Sequence, residues 1–244
     1  MASEQDFFHR TELLLGGEAM KRLVAQRVVV FGVGGVGSWC AECLVRTGIA
    51  QLTIVDADRV SPTNLNRQLM ATTDTIGLPK VDVLRQRLLS INPDAQVVAM
   101  EKVFCEETAH DFHLDDYDYI VDAIDSLKDK ALLIRLATQT QARFFSSMGA
   151  ALKMDPTRIR VAEFWKVQGD PLARALRKRF KHEGLFPQRK FQVVFSDELL
   201  QNQAQSHEGP GIFHKAQVNG SLAHITAIFG FMLASLVVND IAKG

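Results

Sequence analysis

Two kinds of run divide the chain. Short valine- and isoleucine-rich runs end at a small or acidic residue, and longer stretches with spaced apolar positions separate them. The short runs are Val28-Val29-Val30-Phe31 ending at Gly32, and Leu52-Thr53-Ile54-Val55 ending at Asp56. Ala95 to Met100, Tyr117 to Val121 ending at Asp122, and Ala142 to Ser147 complete the set. Runs of this length and composition predict buried strands. Between them, Trp39 to Thr47, Lys80 to about Ser90 and Leu127 to Thr140 read as helices. A helix is also predicted from Arg10 to Ala25, with Leu13, Leu14, Met20 and Leu23 on its apolar face. Strands alternating with helices predict an α/β fold with a mainly parallel sheet. After Gly149 the alternation loses its regularity. Thr157 to Ala162 and Phe191 to Phe195 read as strands, Leu172 to Lys181 as a helix opened by Asp170-Pro171, and Asn202 to Pro210 as a mobile loop.

The first strand runs into Gly32-Val33-Gly34-Gly35-Val36-Gly37-Ser38 and then into a helix. Glycines at 32, 34 and 37 let backbone approach a phosphate with no Cβ in the way, and the N–H groups of the first helical turn face the anion. The plain alternative is a strand-to-helix turn with no ligand. Asp56 ends the second strand 19 residues after Gly37, where an acid takes ribose hydroxyls in a doubly wound, Rossmann-like unit. A boundary near residue 150 then separates a nucleotide-binding region, 1–150, from a C-terminal α+β extension, 151–244, that supplies substrate contacts.

The residues after Asp56 depart from the pattern of a nicotinamide site. Asp58, then Asn64-Leu65-Asn66-Arg67-Gln68, fill a polar loop, and Gly77-Leu78-Pro79-Lys80 opens the next helix. Arg67 and Lys80 are two cations near the end of the second strand, which suits a triphosphate. Ordinary surface salt bridges are the other reading. Asp122-Ala123-Ile124-Asp125 ends the fourth strand. Asp125 suits a magnesium ion whose remaining ligands are phosphate and water, and it equally suits the N-cap of the helix beginning near Ser126.

Composition narrows the class. Of 244 residues, 47% are apolar and 23% charged, as in a soluble enzyme. Met1 to Asp6 lacks the pattern of a signal peptide. Three cysteines, at 40, 43 and 105, suit a reducing cytoplasm. Cys40 and Cys43 have no second pair to complete a four-cysteine zinc site, so they read as core-facing helix residues rather than metal or redox groups. Ser221 to Val238 is uncharged over 18 residues, and reads as a helix buried in the core or a dimer interface in preference to a membrane span. The net charge of zero hides an asymmetry. Residues 153–190 carry eleven Lys/Arg against four acids, a local +7 balanced by −7 elsewhere. A basic face of this size suits a polyanionic partner, with a solvated helix face as the alternative.

Taken together, the glycine run, Asp56-Ala57-Asp58, Asn64-Leu65-Asn66-Arg67-Gln68, Gly77-Leu78-Pro79-Lys80 and Asp122-Ala123-Ile124-Asp125 resemble the HesA/MoeB/ThiF and ubiquitin-activating type of adenylating enzyme. Within that superfamily the chain is similar to the branch that dehydrates threonylcarbamoyladenosine in tRNA. Ser90-Ile91-Asn92-Pro93, Met154-Asp155-Pro156-Thr157-Arg158-Ile159 and Asp170-Pro171-Leu172-Ala173 carry that likeness. The resemblance implies that ATP is bound by Gly32, Gly34, Gly35, Gly37, Asp56, Asp58, Asn64, Arg67, Gln68 and Lys80, with magnesium on Asp125. It implies charge stabilisation by Arg67 and Lys80, an Arg10 that reaches a partner subunit's phosphates, and a homodimer. The basic residues Arg174, Arg177, Lys178, Arg179 and Lys181 would hold tRNA. Activators of ubiquitin-like or sulfur-carrier proteins are the alternative within the superfamily. They often carry late cysteines as zinc ligands or nucleophile, and this chain has no cysteine after Cys105.

Overall fold

Within residues 7–204 and 219–244, which this computed structural model describes, seven strands form a sheet. They are β1 (Arg27–Phe31), β2 (Gln51–Val55), β3 (Gln96–Met100), β4 (Tyr119–Asp122), β5 (Arg143–Ser147), β6 (Ile159–Glu163) and β7 (Gln192–Ser196). Their order across the sheet is β3-β2-β1-β4-β5-β7-β6. All neighbours are parallel except β6, which runs antiparallel to β7 at the edge. The chain winds one way from β1 to β3 and the other way from β4 onward. The carboxyl ends of β1 and β4 therefore flank the crevice where ligands bind in open parallel sheets.

Helices cover both faces because the strands are apolar on both. On one side lie α2 (Gly17–Ala25), α3 (Gly37–Thr47), α4 (Lys80–Ile91) and α7 (Ala223–Lys243), whose Leu23, Leu44, Leu84 and Phe229 pack with Val28 and Val30. On the other, α5 (Leu127–Ala137) and α6 (Pro171–Glu183) pack Ile134, Leu176 and Phe180 with Val29 and Phe31. The sheet continues through residue 150, since β5 pairs directly with β7.

The single helix expected over 10–25 is two. Gly16 takes φ 81° and ψ 156°, which splits α1 (His9–Leu15) from α2. That left-handed φ is open to glycine at little cost. The break turns α1 off the core, and Leu13 and Leu14 are 73% and 84% exposed, whereas Leu23 is buried.

The apolar C-terminal stretch is a core helix. Ile225, Phe229, Leu233, Val237 and Ile241, four residues apart, are all buried. Although α7 is long and apolar enough to cross a membrane, half of that apolar window is buried inside this fold. Gly230 permits the contact with α3, because a Cβ there would lie 2.5 Å from the Val36 carbonyl oxygen. Cys40 is fully buried and Cys43 half-buried, and burial pushes both thiols up. Of the loop expected at 202–210, residues from 205 onward lie outside the described residues.

Candidate functional site

The site is built from the glycine turn outward. Leaving β1, Gly32 takes φ 81° and donates its N–H to the Val55 carbonyl at 2.8 Å. A Cβ on Gly32 would stand 2.8 Å from the Ala123 carbonyl oxygen, and one on Gly37 would stand 1.8 Å from that of Gly32. The turn is thus folded tightly on itself and against the loop after β4. Side chains are excluded there for steric reasons alone.

At the end of β2, Asp56 braces this turn. Its Oδ2 accepts the Val33 N–H at 2.8 Å, and its Oδ1 accepts the Asp58 N–H at 2.9 Å. Burial pushes the Asp56 carboxyl up, against the opposing pull of Lys80 and of these two N–H groups. Lys80, the first residue of α4, is nearly buried, and its Nζ lies 2.7 Å from Asp58 Oδ2. Two of the residues expected to bind ATP, Asp58 and Lys80, are therefore paired with each other.

The loop between β2 and α4 closes over the glycine turn. Asn64 is buried, and its Oδ1 accepts the Ser61 N–H at 3.0 Å. Arg67 Nη1 donates to the Thr63 carbonyl at 2.8 Å and to Asn66 Oδ1 at 2.9 Å. The Arg67 carbonyl accepts from Trp39 Nε1 at 3.2 Å and from Thr226 Oγ1 at 3.5 Å, which ties the loop to α3 and α7. Gln68 is buried beside Gly34, and its Oε1 has no hydrogen-bond partner among the described residues. Buried acceptors are rarely left unpaired. A hydroxyl or amino group of a ligand lying along the turn would supply the donor.

Beyond β4 the sequence missed a buried network. Asp122 and Lys130 are both fully buried, with Lys130 Nζ 2.7 Å from Asp122 Oδ2. Asp122 also accepts from Ser146 Oγ at 2.6 Å and from the Ile124 N–H at 3.0 Å. Lys130 Nζ donates to the Ile124 carbonyl at 2.8 Å. These bonds fix the 123–125 loop, with Asp125 exposed at its end. The N-cap of α5 is Ser126, whose Oγ accepts the Asp129 N–H at 3.5 Å, so Asp125 does not have that role. No group of three or more His, Cys, Asp or Glu suited to a metal occurs among the described residues. A single protein carboxylate such as Asp125 fits a magnesium ion carried mainly by phosphate oxygens and water.

The glycine turn, Asp56, Asp58, Lys80, Arg67, Gln68 and Asp125 thus gather at the carboxyl ends of β1, β2 and β4. Arg10 does not join them within the chain. It is exposed on α1, two residues beyond Phe8. Phe8 and Met20 lie beside Gly48, past the end of α3 opposite the turn.

The basic residues on α6 divide into two groups. Arg174, Lys178 and Lys181 are exposed. Arg177 is half-buried and donates to the carbonyls of Phe164 at 3.1 Å and Val167 at 2.8 Å. Arg179 is half-buried and pairs with Glu183 at 2.7 Å. Near the end of β7, Lys153 is buried and donates to the carbonyls of Ser196 at 3.1 Å and Glu198 at 2.6 Å. Burial pushes the Lys153 ammonium down. In the sequence, nothing distinguished Lys153 from its solvated neighbours.

Known proteins are similar to this chain over nearly its whole length. The model of the ThiF family matches residues 8–243. The tRNA threonylcarbamoyladenosine dehydratase of Bacillus subtilis is 37% identical over 242 residues, which cover 97% of this chain and 94% of that protein. The crystal structure of the Escherichia coli enzyme in complex with ATP superposes with a TM-score of 0.87 at 32% identity, covering 100% of this chain and 97% of that one. The AMP complex of the same enzyme gives 0.88, also at 32% identity and over the same shares of the two chains.

Proposed function

Because the chain belongs to the ThiF family, we propose that it is an ATP-dependent tRNA-modifying enzyme that dehydrates threonylcarbamoyladenosine next to the anticodon. The likeness to dehydratases of that name over nearly the full length of both chains carries this reading.

The chemistry starts from an unreactive group. A carboxylate resists nucleophilic attack because its charge is delocalised and oxide is a poor leaving group. Attack of the threonyl carboxylate oxygen on the α-phosphorus of ATP forms a mixed anhydride and releases pyrophosphate. The carbamoyl group of the same side chain then attacks the activated carbonyl. Ring closure expels AMP, and the net change in the nucleoside is the loss of one water. The second step is intramolecular, so positioning supplies much of the rate.

The positions of the side chains support the following roles in this reading. Asp56 accepts the ribose hydroxyls, and the glycine turn with the first N–H groups of α3 receives the phosphates. Arg67 and Lys80 neutralise charge on the phosphates, with Lys80 exchanging Asp58 for a phosphate oxygen. Asp125 holds magnesium, which offsets phosphate charge when bound. The exposed cations Arg174, Lys178 and Lys181 hold the tRNA backbone. The protein acts as a homodimer to which Arg10 contributes across the interface. The exposed Leu13 and Leu14 of α1 favour such a contact.

A nucleoside digest tests the whole reading. tRNA carrying threonylcarbamoyladenosine is incubated with the protein and ATP–magnesium and read by mass spectrometry. The expected result is loss of one water with stoichiometric AMP, and neither product with Arg67→Ala. An unchanged nucleoside despite ATP binding would overturn it.

A further inference from the structure

The strand β6 leads into a short turn at Phe164–Lys166 in which two aromatic side chains take opposite fates. Phe164 is fully buried and stacks on Phe191 with ring centroids 5.0 Å apart. Trp165 is 37% exposed and stands edge-on against Phe164 at 5.2 Å. Its ring meets Phe186, 46% exposed, at 6.2 Å and a tilt of 40°. Phe186 lies just past the end of α6. Trp165 is thus held from below by the packed aromatic cluster, Phe186 rests against Trp165, and both rings are partly open to solvent.

Cations outnumber acids around this pair, although Glu163 Oε1 accepts the Trp165 N–H at 3.2 Å and Glu183 ends α6. Lys166 is exposed directly beside Trp165. Arg177 of α6 packs its guanidinium over Phe164 at 5.9 Å and bonds the Phe164 carbonyl, so that face of α6 adjoins the turn. One helical turn on from Arg177, Lys181 is exposed, and Arg174 is exposed one turn before it. Exposed aromatic rings among cations are what unpaired nucleobases recognise, through stacking on the ring and attraction of the phosphate to the cations. A protein partner would favour an uncharged apolar surround.

We propose that Trp165 and Phe186 form a stacking platform for an unpaired base of the RNA substrate, with Lys166 and Lys181 on the adjoining phosphates. This rests on the tRNA reading above and adds a base-binding subsite to it. Stacking on aromatic rings tolerates any base. The platform therefore sets the pose of the loop and leaves the choice of nucleotide to the reaction site.

The test uses the full-length protein and tRNA carrying threonylcarbamoyladenosine. Trp165→Ala and Phe186→Ala are expected to raise the tRNA KM about tenfold each, the scale of one lost stack. The ATP KM, the melting temperature and the salt dependence of binding stay at wild-type values. Trp165→Phe restores most of the tRNA KM. The chain has two tryptophans, so RNA-induced quenching that disappears in Trp165→Phe reports on this ring directly. Unchanged tRNA KM in both alanine variants, with Trp165 emission unmoved by RNA, overturns the platform and assigns the surface to a protein contact. A wild-type protein that converts no tRNA overturns the parent reading instead, and the platform with it.

Discussion

Lys130 and Asp122 are enclosed together under the 123–125 loop, and neither has access to water. Removing one charge strands the other in the interior, which typically costs about 3–5 kcal/mol. Lys130→Met is expected to lower the unfolding free energy, read from urea denaturation, by an amount of that order. Lys130→Arg, with its charge kept, is expected to lose less stability and, if Asp125 holds magnesium as proposed, to reduce ATP turnover through displacement of Asp125. Asp56 gives a pH signature. Burial raises its carboxyl above the unfolded value, so its stabilising contribution is present at low pH and fades as pH rises through the raised value. On the proposed ribose role of Asp56, nucleotide binding runs the other way, since only the ionised carboxylate would accept both hydroxyls. The ATP KM should climb on acidification while an ordinary aspartate, titrating at about 4, is still ionised. Asp56→Asn should abolish that rise and weaken ATP at every pH. Asp56 was legible because it ends an apolar run at a diagnostic distance from Gly37. Lys130 was not, because a lysine one turn into a helix looks the same in sequence whether it faces water or a buried carboxylate.

At the scale of elements, α6 and α7 carry the sharper predictions. Both Arg177 and Lys178 belong to the basic helix, yet only Lys178 faces water. Arg177→Ala is expected to lower the melting temperature, since its guanidinium holds two turn carbonyls, and to alter RNA affinity less than Lys178→Ala does. Thermal melts and filter binding on the two variants separate the effects. Gly230 allows α7 to approach the first turn of α3, so Gly230→Val should destabilise by about 1–3 kcal/mol through overpacking. Periodicity located both helices but not their neighbours. The stop at Gly16 shows the same limit, since an apolar face from Leu13 to Leu23 reads as continuous until the backbone turns at a glycine. The strands were legible, since their two-sided burial leaves a continuous apolar run. Their edge strand β6, half-exposed, gave the weaker pattern.

For the molecule as a whole, charge separation governs substrate capture. The segment 153–190 carries +7 and the rest −7, and on the proposed reading the exposed Arg174, Lys178 and Lys181 within it draw tRNA to their side of the molecule. Affinity for tRNA should fall as a power of salt concentration, and each of Arg174→Gln, Lys178→Gln and Lys181→Gln should reduce the slope of log affinity against log salt by about 1. Titrations at several ionic strengths measure this. The glycine turn also has a bearing on how the protein is made. Its Gly35 lies against Thr226, the Arg67 carbonyl accepts from Thr226, and Asn66 donates to the Ser221 carbonyl at 3.0 Å. On the proposed reading, the nucleotide-binding residues are therefore translated before the helix that steadies Gly35 and the Arg67 loop. A chain that stops near residue 200 would hold the proposed phosphate and ribose contacts and is expected to bind ATP more weakly than the whole chain. On the proposed reading, nucleotide binding is expected to mature only once α7 has emerged and packed against the glycine turn.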